Sequence, residues 1–209
     1  MTFHTPSSTL AIFPVMIVLT LFSACTAFYG IKQPKPLSGQ AILETAEKYR
    51  IPHGQIFVLD TAYKTFIRKI SGQNKTLAKN HLQPLQLLYF NKSGELISYF
   101  INCNAGGFPN LKWNRNGMLD SFPPASQTTP DALFSFHDLL KFIKTPDGKK
   151  PNPKEFSHAT YKTVVFWSVF MGRQSKRLIH QAEENYKLTN DKSAKLIFVN
   201  TDDLFTETN

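Results

Sequence analysis

Four consecutive residues, Met171-Gly172-Arg173-Gln174, follow an apolar run from Val164 to Phe170, and Lys176 and Arg177 come after them, one residue on. The run reads as a strand and the segment behind it as a helix, so three cations crowd a helix start, where the macrodipole disfavours them. Free N–H groups and three cations suit a phosphate, sulfate or carboxylate; the same long side chains can instead splay into solvent. Met171 cannot ionise and Gln174 offers only hydrogen bonding, so thiol exchange is excluded at this tetrapeptide; Met171 and Phe170 can equally fill core volume. Cys103 is a lone thiol at the end of a predicted strand, either a nucleophile or peroxide sensor with its pKa lowered by a cationic neighbour, or a small buried hydrophobe. The loop Asn104 to Gly117 carries Phe108, Trp113 and Arg115 among Asn and Gly residues, a composition that stacks on a ligand or partner, or folds over a sheet edge. Asp202 and Asp203 follow the last predicted strand with no matched acid or base beside them, which suits capping of a turn.

Other chemistries lack their residues. The six histidines form no metal-ligand spacing, the two cysteines form no Cys-x-x-Cys, and no Gly-rich phosphate loop or nucleophile elbow occurs. No metal and no cofactor are expected. A formal net charge of +9 favours anionic partners, such as lipid headgroups, acidic envelope polymers, nucleic acid or acidic proteins, and selects none of them.

The elements that position these residues begin behind an address segment. Leu10 to Ile31 holds no charged residue, and as a helix of about 33 Å it would cross a bilayer core. Within it, Leu21-Phe22-Ser23-Ala24-Cys25 resembles the lipobox of bacterial lipoproteins, which implies cleavage before Cys25 and lipid on its sulfur. The alternative is an uncleaved membrane helix, with Lys32 and Lys35 marking the cytoplasmic side. Residues 1–25 therefore read as signal peptide or anchor, 26–37 as a tether, and 38–209 as one α/β domain.

Within the domain, Ser38 to Arg50 is a predicted helix, Gln55 to Leu59 a strand, and Tyr63, Phe66, Ile67 and Ile70 mark a second helix capped by Asp60 or Thr61. The stretch to Gln83 reads as loop or weak helix. Pro84–Phe90 and Glu95–Asn102 form a hairpin about Asn91-Lys92-Ser93-Gly94. Asp131 to Ile143 is a helix with Leu133, Phe136, Leu140 and Ile143 on one stripe, and the proline- and lysine-rich Thr145 to Glu155 is a solvated connection. Leu196 to Asn200 closes the domain as a strand.

The unit Val164 to Asp202 resembles the first βαβ unit of thioredoxins. That family carries Trp-Cys-Gly-Pro-Cys at the junction; here Met171 and Gln174 stand in place of the two cysteines and Arg173 in place of the proline. The hairpin from Pro84 is similar to the thioredoxin strand that follows a cis-proline, so the resemblance implies a permuted thioredoxin-like three-layer sandwich with its hairpin half first. Pro84 would be the cis-proline, and Pro84, Cys103 and Met171 would meet at one sheet edge. The expected function is a membrane-anchored cell-envelope protein that has lost redox chemistry and binds a protein partner through Arg173, Lys176, Arg177, Trp113 and Arg115. The alternatives are a single-cysteine enzyme or sensor using Cys103 and a binder of anionic envelope polymer; an export signal argues against nucleic acid.

Overall fold

The computed structural model describes residues 30–101, 112–132 and 134–206. Cys25, Cys103, Phe108, Leu133 and most of the uncharged segment lie outside the described residues. No helix among the described residues is long and apolar enough to cross a membrane.

The chain folds as mixed α/β. In order come α1 (Gly39–Lys48), β1 (Ile56–Leu59), α2 (Ala62–Ser71), α3 (Lys75–His81), β2 (Gln86–Phe90), β3 (Leu96–Ile101), α4 (Phe136–Phe142), β4 (Ile143–Lys144), β5 (Lys162–Trp167), α5 (Arg173–Tyr186) and β6 (Lys195–Asn200). The six strands form one open sheet in the order β3-β2-β5-β6-β1-β4. β5, β6 and β1 run parallel; β2 lies antiparallel to β5, β3 to β2, and β4 to β1.

Strand alternation sends Val165 and Trp167 to one face and Val164 and Phe166 to the other. On the first face Leu87, Tyr89 and Phe198 join Ile42 and Ala46 of α1 and Leu178, Ile179 and Ala182 of α5. On the second, Leu88, Phe90, Ile197 and Val199 meet Tyr63 and Ile67 of α2 and Phe136 and Leu139 of α4. Covering both faces explains why every residue of β5 is buried.

Local chemistry accounts for the ends. The Ser38 hydroxyl accepts from the Ala41 N–H at 3.2 Å, and Asp60, rather than Thr61, caps α2 by accepting from the Ala62 N–H at 2.9 Å. Asn74 caps α3, which makes a regular helix of a stretch expected to be loop or weak helix. The helix expected over Asp131 to Ile143 starts at Phe136, because Ser135 and Asp138 form a capping box there. Ile143 and Lys144 leave that helix to pair with Leu59 and Val58 as β4. In the hairpin turn, the Asn91 side chain accepts from the Glu95 N–H at 2.9 Å, and Gly94 supplies a φ of 88°.

Candidate functional site

β5 stops at Trp167, three residues short of the apolar run, because Asp202 turns the chain. Asp202 follows β6 at the adjacent strand end, only 1% exposed. Its Oδ2 accepts from the Val169 N–H at 2.7 Å and the Asn200 amide at 2.6 Å. Its Oδ1 accepts from the Phe170 N–H and the Ser168 hydroxyl, both at 3.2 Å. Four donors fill the four lone-pair directions of a carboxylate. Burial pushes the Asp202 pKa up, and these hydrogen bonds pull against it. The anion held at the strand-to-helix turn is therefore the chain's own side chain, in the turn-capping role its position suggested.

Gly172 caps α5 with φ 48°, and a Cβ there would collide with the Gly30 carbonyl oxygen. Close approach and left-handed backbone together require glycine. The tether lies across this turn: the Lys32 N–H donates to the Phe170 carbonyl at 2.7 Å, and the Tyr49 hydroxyl donates to the Gly172 carbonyl at 3.1 Å. Burial, then the Asp202 charge, raises the Tyr49 pKa. Beneath, Phe170 and Met171 are buried, with Phe170 edge-on to Phe205 at 5.4 Å. The Gln174 side chain is buried too, and its Oε1 has no hydrogen-bond partner.

Arg173, Lys176 and Arg177 all reach the surface at the first turn of α5, and Lys32 and Lys35 are exposed on the tether. Trp113 departs from its expected role. It is 2% exposed and belongs to the core with Leu119 and Leu178. The cause is Asn185 on α5, whose amide donates to the Leu119 carbonyl at 2.6 Å and the Ser121 carbonyl at 2.8 Å, folding the loop inward. Arg115 stays exposed. What survives of the expected surface is a cleft of about 270 Å³ where Lys112, Trp113 and Asn114 face Arg177, His180 and Gln181.

Pro84 also differs from expectation. The cis peptide among the described residues is Phe122-Pro123. Pro84 is held instead by Thr201, whose hydroxyl bridges the Pro84 carbonyl at 2.9 Å and the Trp167 carbonyl at 3.2 Å. That places Pro84 at the same sheet end as Met171. Ile101 and Gln86 are paired at this end as well, while Cys103 lies outside the described residues.

No family model, curated protein or solved structure matches this chain.

Two groups were not legible in the sequence. His81 is fully buried, with Nε2 2.6 Å from an Asp131 carboxylate oxygen and its ring stacked on Tyr99 at 5.0 Å. They wall a cleft of about 360 Å³. His81 Nδ1 is buried without a hydrogen-bond partner among the described residues, and the pair ties α3 to the 128–131 loop. The second is Lys162 at the start of β5, 3% exposed. Its ammonium donates to the Asn91 carbonyl at 3.1 Å and the Lys92 carbonyl at 2.9 Å, and sits 5.8 Å from the Phe136 ring centre. Burial, then the Lys92 charge, lowers its pKa. Among the described residues no cluster of His, Cys, Asp and Glu is arranged to hold a metal.

Proposed function

We propose that this chain is a membrane-tethered, redox-inactive binding domain of the bacterial cell envelope, with a permuted thioredoxin-like architecture. The sheet supports the architecture: the hairpin's first strand runs antiparallel beside β5, while β5-α5-β6 forms a parallel βαβ unit on its other side. The hairpin half precedes the βαβ half in the chain, as the permuted resemblance requires.

The observation that carries the functional reading is the docked tether. Lys32 is hydrogen-bonded to Phe170, and Gly30 packs on Gly172, at the place where thiol chemistry would otherwise occur. The uncharged segment ends at Ile31, so an anchor made from it enters the bilayer beside this junction. Lys32, Lys35, Arg173, Lys176 and Arg177 then face headgroups, and each cation near an anionic surface contributes about 1 kcal/mol. The Met171 to Arg177 edge thus becomes a membrane-facing pole. A protein partner meets the domain from the side, at the cleft between Arg177 and the 112–114 loop.

Membrane fractionation of the full chain tests the anchor. The account expects it to stay with membranes after alkaline carbonate washing and to carry either a diacyl or triacyl adduct on Cys25 or an intact N-terminal segment. Release into the wash as an unlipidated protein would end the reading. Partner capture that survives Arg177→Glu unchanged would remove the side cleft from it.

A further inference from the structure

The end of β5 remote from the junction carries a second buried charge, and its hydrogen bonding is incomplete. An ammonium has three N–H donors. Lys162 uses two on the hairpin-turn carbonyls, and among the described residues no carboxylate is paired with it. It lines a cleft of about 250 Å³ together with Lys92, Phe136, His137, Lys154 and Phe156. Among the described residues no acidic side chain lines that cleft. Glu95 accepts from the Asn91 amide at 2.6 Å and Asp138 from Lys141 at 2.7 Å, while Glu155, between the cleft residues Lys154 and Phe156, is exposed. Lys92, Lys154 and His137 are exposed at the mouth, and Phe136 and Phe156 form a buried aromatic floor, edge to face at 5.4 Å.

A buried cation without a counter-ion is costly unless something completes its shell. An incoming oxyanion would accept the third Lys162 proton, lie near two further lysines, and set an apolar body on the aromatic floor. The volume limits that body, since ligand pockets for drug-sized molecules begin at about 300 Å³. We propose that this cleft binds a small organic oxyanion, a carboxylate or phosphate carried on a compact apolar group. The proposal goes beyond membrane tethering and does not depend on it.

Calorimetric titration of the full chain in detergent micelles tests it, using phenyl phosphate, benzoate and neutral benzamide as probes. One or both anions bind at millimolar concentration and benzamide does not; the tighter anion identifies the headgroup. Lys162→Met weakens anion binding about tenfold, the scale of one charge-assisted hydrogen bond. The surface double variant Lys92→Ala/Lys154→Ala weakens it less while keeping the fold. No anion binding, equal binding of benzamide, or equal affinity in the variants would overturn the proposal. Should Lys162→Met fail to fold, acylation of the unmodified protein decides: whichever of the two anions binds tighter must slow the reaction of Lys162 with N-hydroxysuccinimide acetate, and an unchanged rate refutes the site.

Discussion

The two ends of β5 solve the same electrostatic problem with opposite signs. At the Trp167 end the Asp202 carboxylate gathers the N–H groups of one turn; at the Lys162 end an ammonium gathers the carbonyls of another. At about 3.3 Å per residue the strand holds them roughly 17 Å apart. Asp202 is saturated by four donors and lies under a turn that the tether crosses, whereas Lys162 keeps one donor in reserve beside an open cleft. A closed charge builds structure, and an open one is available to a ligand.

Removing each charge is the strongest way to break this contrast. Asp202→Ala leaves four neutral donors without their acceptor and should cost about 3–5 kcal/mol in chemical denaturation, since each buried unsatisfied donor costs about 1–3 kcal/mol. Gly172→Ala combines an unfavourable φ with a clash against Gly30 and should cost about 1–3 kcal/mol, with the tether displaced. Lys162→Met leaves two turn carbonyls without their donor but also removes a buried charge that has no counter-ion, effects of opposite sign, so it should cost only about 1 kcal/mol. Equal losses for Asp202→Ala and Lys162→Met would erase the distinction between the two ends.

The smallest effect is a pH signature. Burial raises the folded pKa of Asp202, so between about 4 and that raised value the folded state keeps a proton that the unfolded chain has released. Its contribution to stability therefore falls as pH rises through that window and is level above it. Asp138 and Asp147, whose pKa values are lowered, slope the other way but cancel between two variants. The stability difference, unmodified protein minus Asp202→Asn, should decline across the window; a flat difference shows that burial does not dominate.

The sequence made the closed end far more legible than the open one. The apolar run from Val164, the helix expected behind it and the apolar run Leu196 to Asn200 placed β5, α5 and β6 to within a few residues. The position of Asp202 after the last strand suggested a turn cap, though not which turn. Trp113 misled because its neighbours are Asn and Arg, and the residue that buries its loop, Asn185, stands far along the chain on another element. β4 was invisible because two residues at the end of a helical stripe carry no period-2 signal. Lys162 carries no signal in the sequence; its partners lie across the sheet in the hairpin turn, a contact no local pattern encodes.

Lysine acylation mapped by mass spectrometry, with the full chain in anionic lipid vesicles and in detergent, most directly tests the proposal that the closed end faces a membrane and the open end does not. The account predicts that vesicles protect Lys35 and Lys176 while Lys92 and Lys154 react as they do in detergent. Protection of Lys92 and Lys154 instead, or full reactivity of Lys176 in vesicles, would contradict it.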